Sequence, residues 1–201
     1  MNREDKLKFE FNNFMISRLR LEIKDYYDSL TTKDFIELKA ILSNINNIIT
    51  LKLTLKFVDF LTSLFKFSAE SKENIINTIQ NINPNSNGFD VEIENPVKIV
   101  AEVKGNFPIN NGNSFGAAQK TGIIKDFHSL KNGKSKSSAN TQEFYKFLVL
   151  PDADTARKAT NNLLNLLKNN INYKNYSFEI ITENTKILNR EKIYVVFIKI
   201  D

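Results

Sequence analysis

The apolar positions of this chain change rhythm once, near residue 83. Before that point they recur at helical spacing: Leu7, Phe11, Phe14, Met15, Leu19 and Ile23 fall on one stripe and predict helix within 3–30. Thr31 or Thr32 then stands where a helix cap belongs, ahead of Phe35, Leu38, Ile41, Leu42 and Ile45. The run "TLKLTLKFVDFLTSLFKF" opens with strand-like alternation, but Phe57, Phe60, Leu61 and Leu64 repeat as on a helix, and helix is the reading adopted. A short helix follows over 70–82, and "NPNSNG" (83–88) ends the pattern with loop chemistry.

Beyond the loop the period falls to two. Phe89, Val91 and Ile93 alternate with Asp90, Glu92 and Glu94, "ENP" supplies a turn, and Ile99, Ala101 and Val103 alternate with Val100, Glu102 and Lys104. "GNFPINNGN" reads as a loop before a helix over 115–131, with Ser114 as its cap and Gly133 as its stop. Phe115, Ile123, Phe127 and Leu130 mark the inward side of that helix. Its small residues Gly116, Ala117, Ala118 and Gly122 suggest close approach to a sheet. "FYKFLVL" (144–150) is almost wholly apolar, as a strand covered on both faces would be. A helix opening at Asp152 or Asp154 and strands over 176–182 and 193–200 complete an order β-β-α-β-α-β-β. The expected fold is α/β with a mixed sheet, an all-helical N-terminal region (1–83) preceding the core (84–201).

Composition narrows the chemistry. With 201 residues, 41% of them hydrophobic and 16 of them Phe, the chain can bury a substantial core. It has no cysteine, which excludes disulfides, thiolate metal sites and cysteine nucleophiles. His128 is the single histidine and is expected at the surface or a helix end, so a zinc site is a poor fit. No apolar run reaches the ~18 residues of a membrane span. The N-terminus mixes charges with apolar residues, unlike a signal peptide, and the cytoplasm is the expected location.

The net charge of +5 is unevenly placed: residues 1–83 hold 12 Lys/Arg against 11 Asp/Glu, and the remainder 16 against 12. Within 120–146, Lys120, Lys125, Lys131, Lys134, Lys136 and Lys146 face only Asp126 and Glu143. Such a stretch is either a solvated loop and helix end or a set of contacts to backbone phosphates.

The hairpin "GFDVEIENPVKIVAEVKGN" concentrates the rest of the candidate chemistry. Strand alternation puts Glu102 and Lys104 on one face, roughly 6.6 Å apart, and Asp90 and Glu92 on one face of the preceding strand. Paired on the same side, they bring carboxylates and an ammonium together. Carboxylate oxygens suit Mg²⁺, and a lysine beside the ion can orient water or offset charge at a phosphate. The competing expectation is an exposed sheet face whose Glu–Lys pairs are worth only about 0.2–1 kcal/mol each.

Asp90, a gap of 11 residues, and Glu102-Val103-Lys104 after an apolar strand resemble the PD-(D/E)xK nuclease superfamily, over roughly residues 85–150. The resemblance implies a restriction-endonuclease-like core in which Asp90, Glu102 and the Val103 carbonyl hold Mg²⁺ and Lys104 is the catalytic lysine. Glu92 is a further possible ligand. Phe89 stands where the family often has proline. The family often places a glutamine on the following helix near the scissile phosphate, which brings in Gln119 as a supporting catalytic residue and Lys120 as a phosphate contact. Ile123 stands where the QxxxY pattern would require tyrosine.

The function implied is a Mg²⁺-dependent endonuclease acting on DNA, duplex first, such as a type II restriction enzyme. Lys120, Lys125, Lys131, Lys134 and Lys136 would meet the phosphate backbone. The loop 105–114 and the helical N-terminus would serve base readout or dimerisation, and a palindromic target would imply a homodimer. The alternative is a non-catalytic nucleic-acid-binding or protein-interaction module on the same fold.

Overall fold

A computed structural model describes residues 1–81, 88–108, 112–185 and 188–199. The expected boundary loop 83–88 lies, apart from Gly88, outside the described residues, as do residues 109–111 of the loop 105–114. The chain packs as two compact units, Met1–Ile45 and Asn46–Asp201.

In the first unit α1 (Arg3–Asn13) begins at Asn2, whose side chain accepts the Asp5 N–H. The predicted helix does not continue through 30. It passes into a π-helical turn, Phe14–Arg18, and Arg20 takes a φ of 56°. Side chains explain the reversal. Asn12 Oδ1 accepts the N–H groups of Tyr26 and Tyr27 at 2.9 and 3.0 Å, and Lys8 pairs with Asp25 and Asp28. The chain thus doubles back into α2 (Tyr26–Ser29). Thr31 and Asp34 then form a reciprocal capping box that opens α3 (Thr32–Ser43).

The second unit contains α4 (Ile45–Phe65, from Asn46 onward), α5 (Ala69–Asn81), β1 (Val91–Ile93), β2 (Ile99–Val103), α6 (Ala117–Asn132), β3 (Tyr145–Pro151), α7 (Asp154–Lys168), β4 (Phe178–Ile181) and β5 (Ile193–Ile198). The order of strands in the sheet is β1-β2-β3-β5-β4. The short turn between β1 and β2 makes them antiparallel, whereas the crossovers through α6 and α7 make β2, β3 and β5 parallel. β4 is also parallel to β5.

Both faces of the sheet are covered, which is why "FYKFLVL" lacks alternation. On one side Phe57, Leu61, Ile75 and Ile79 of α4 and α5 pack with Ala101, Val103, Phe147 and Val149. On the other, Ile123, Phe127 and Leu130 of α6 and Leu163 of α7 pack with Val100, Leu148 and Leu150. The expected division at 83/84 therefore contrasts with the packing, in which α4 and α5 belong with the sheet because they supply one of its apolar covers. Among the described residues, no helix is long and apolar enough to cross a membrane.

The start of α6 differs from expectation. Ser114 is not its cap: the helix opens at Ala117, and the Gly116 N–H is accepted by Gln119 Oε1 at 3.0 Å. Gly133 does end it, with a φ of 89°. The small residues are not packed on the sheet. Ala117 and Ala118 are exposed, and a Cβ added at Gly122 would meet nothing within 4 Å.

Phe57 is fully buried and meets Phe147 edge-on with ring centroids 5.4 Å apart. Phe57→Ala is expected to destabilise this unit by about 3–5 kcal/mol, read from its urea midpoint. An unchanged midpoint would mean that α4 contributes little to the fold.

Candidate active site

The β1–β2 register pairs Val91 with Ala101 and Glu92 with Val100. One step further sets Asp90 across from Glu102, and cross-strand neighbours in an antiparallel pair share a face. That face is the one α6 covers. The expectation of an exposed sheet face is overturned: Glu102 is only 2% exposed. Asp90 is tied to β2 by its Oδ2, which accepts the Val103 N–H at 2.7 Å. The Val103 side chain lies in the opposite core, so its backbone is what reaches this site.

Two further charged groups close the site. Asp126 projects from the inward side of α6 and pairs with Lys104, Nζ to Oδ2 3.2 Å. Lys134, just past the Gly133 stop, brings its ammonium to 2.5 Å from Glu102 Oε1. The site thus holds three carboxylates and two ammoniums, in two ion pairs that each join the hairpin to α6 or the loop after it. The ammoniums lie off the hydrogen-bonding direction, and neither Glu102 Oε1 nor Asp126 Oδ2 accepts a directed hydrogen bond.

Burial dominates the electrostatics. It raises the Glu102 pKa from 4.5 to about 8, helped by the charge of Asp90 and opposed by Lys134. Asp126 is raised from 3.8 to about 6, again chiefly by burial and against the pull of Lys104. For Lys104, burial lowers the pKa, but Asp126, Asp90 and Glu102 together outweigh it and leave the group above its ordinary value. Lys104 is therefore an ammonium at neutral pH.

The other candidates are dispersed. Glu92 accepts a hydrogen bond from Ser137 Oγ at 2.8 Å. Both ends of the Gln119 amide serve the loop: Oε1 accepts from Gly116, and Nε2 donates to the Phe107 carbonyl at 2.7 Å. In this geometry Gln119 positions the chain after Lys104. Of the predicted phosphate contacts, Lys125 and Lys136 are exposed and Lys120 partly so, and their side chains have no partner among the described residues. Lys131 donates to the Asn175 carbonyl at 2.6 Å and lies over Tyr176, while Lys134 belongs to the carboxylate site. Lys146 is buried and donates to the carbonyls of Thr141, Phe144 and Arg190, so it is not a surface contact. His128 is exposed, as expected.

Asp90 and Glu102 offer hard oxygen donors, and an oxygen of Glu102 is buried without a directed hydrogen bond. That donor set fits Mg²⁺, which keeps several waters and takes few carboxylates. Among the described residues no three His, Cys, Asp or Glu side chains are gathered to hold an ion by themselves. Waters and a phosphate oxygen would complete the shell. No protein-family model, curated protein or solved structure matches the chain.

Between pH 4.5 and 8 the folded protein keeps a proton on Glu102 that the unfolded chain has lost, and Asp126 behaves likewise between 3.8 and 6. Stability in EDTA is therefore expected to fall as pH rises through these windows. Glu102→Gln should abolish the decline between pH 6 and 8 and leave only the Asp126 share below pH 6, as followed by thermal unfolding. A wild-type midpoint that rises over that range would contradict the assignment.

Proposed function

We propose that the protein is a Mg²⁺-dependent endonuclease cleaving phosphodiester bonds of DNA, with Asp90 and Glu102 as metal ligands and Lys104 at the attacking water. The observation that supports this most is the burial of Glu102 with its face-mates Asp90 and Lys104, in the order that resembles PD-(D/E)xK nucleases. A solvated hairpin face would not place a carboxylate there. Bound between Asp90 and Glu102, Mg²⁺ would polarise the phosphate and lower the pKa of a water.

The chain's own residues define the remaining roles. Because Lys104 is protonated at neutral pH, it acts as a donor and not as a general base. Its ammonium orients the attacking water or a non-bridging phosphate oxygen and offsets the charge that builds on the phosphate. Asp126 is a positioning residue: it holds the Lys104 ammonium from α6 and helps keep it charged. The Val103 N–H holds Asp90 in line with Glu102. Lys120, Lys125 and Lys136 are left as contacts to backbone phosphates, giving affinity that falls with salt. Duplex DNA, the cytoplasm and a homodimer on palindromic sites complete the proposal, with a type II restriction enzyme as its most specific form.

The test is cleavage of supercoiled plasmid with Mg²⁺ or EDTA. Cleavage should require Mg²⁺, disappear in Asp90→Asn, and slow about 10²–10³-fold in Lys104→Ala. Salt-sensitive binding to DNA without cleavage, the same for wild type and Lys104→Ala, would favour a non-catalytic binding module.

A further inference from the structure

The two lysines of the site are mounted differently. Lys104 directly follows β2, where its N–H still bonds to the Val149 carbonyl of β3 at 2.9 Å, and its partner Asp126 sits on α6. Lys134 stands on the loop that begins where Gly133, with a φ of 89°, turns the chain out of α6. Besides Glu102, its ammonium meets the Gly88 carbonyl at 2.6 Å and the Phe89 ring at 5.2 Å. Its side chain is 21% exposed, against 30% for Lys104, so the backbone that carries each lysine sets the two apart and exposure does not. Farther along, Ser137 holds the loop to Glu92 of the hairpin.

We propose that the Lys134 ammonium occupies, in the ion-free protein, the place at Glu102 that a divalent cation takes, so that ion and lysine compete for one carboxylate. The inference rests on the Mg²⁺-dependent reading of the site and adds its regulation. Charge balance motivates it. With Glu102 deprotonated, as a carboxylate that takes a cation must be, three carboxylates and two ammoniums leave one net negative charge. A dication added to all five groups would make the buried site positive, and departure of one ammonium restores neutrality. Lys104 is retained by Asp126, whereas a dication on Glu102 turns the main attraction on Lys134 into repulsion. The lysine on the loop is therefore the one that leaves. Released, it and Lys136 become cations available to backbone phosphate, so ion binding and nucleic-acid binding favour the same open loop.

Binding of Mn²⁺, followed by the electron paramagnetic resonance of the free ion, tests the competition without reference to activity. Lys134→Met is expected to bind Mn²⁺ about tenfold more tightly than wild type, as when a closed state is removed from the equilibrium. Asp90→Asn should lose binding. Removing a positive charge could tighten binding through weaker repulsion alone, so the second measurement uses the wild-type protein. Acetylation of Lys134, read by mass spectrometry, should rise severalfold when Mn²⁺ is added, while that of Lys125 stays constant. This labelling also stands if Lys134→Met does not fold. Mn²⁺ bound to wild type with Lys134 labelling unchanged would overturn the displacement and leave the metal site intact. No Mn²⁺ binding by wild type or Lys134→Met would overturn the metal reading and this inference together.

Discussion

Taking an ionised carboxylate out of water costs several kcal/mol even after the surroundings relax, and a single ion pair offsets that only with good geometry. Glu102 faces this cost on the second strand of the sheet, beneath α6, where its neighbour in β3 is Leu148. An apolar residue there would fit the surrounding core better. The rest of the site follows from keeping an acid instead. Lys134 must be brought over it, Asp90 shares its face, and Asp126 and Lys104 form a second pair alongside. A carboxyl held near a pKa of 8 in the ion-free protein is one that a cation would stabilise.

The fold holds these groups at the end of β2, next to a loop. Gly105, immediately after Lys104, lies so close to α4 that an added Cβ would come within 2.7 Å of Ile49 Cγ2. The opposite helical layer thereby limits where the chain can run as it leaves the site, and Gln119 fixes it again at the start of α6. Lys146 in β3 gives a contrast. It too is a buried charge on the α6 side, and burial followed by nearby Arg190 lowers its pKa. Its ammonium is satisfied by backbone carbonyls at the other end of the strand pair. Carbonyl oxygens suffice to hold a structural lysine. The carboxylates at Lys104 and Lys134 are costly to bury and are not needed to hold a lysine.

Much of this was legible in the residues. The change of period at the hairpin, the apolar run of β3 and the order of strands and helices all follow from which positions must be buried. Strand alternation gathers Asp90, Glu92, Glu102 and Lys104, and the resemblance to PD-(D/E)xK nucleases singles out Asp90, Glu102 and Lys104 among them. Asp126 had a signal that was not used: it falls within the stripe Ile123, Phe127 and Leu130, and an acid on the inward side of a helix needs a partner. Lys134 had none. It is one of several lysines in a basic stretch, and only the turn at Gly133 brings it back to the hairpin. The division of the chain was hidden for a similar reason. Helical periodicity shows that α4 has an apolar face, but not that the face covers a sheet formed some forty residues later.

The central claim is that the buried Glu102 and the half-buried Asp90 of the hairpin form a divalent-cation site. Crystals soaked in Mn²⁺ and measured at the manganese absorption edge test it directly. The account predicts an anomalous peak between Asp90 and Glu102, with the Lys134 ammonium withdrawn from Glu102. Glu102 still paired with Lys134, and no peak at the hairpin while Mn²⁺ is present in the crystal, would contradict it.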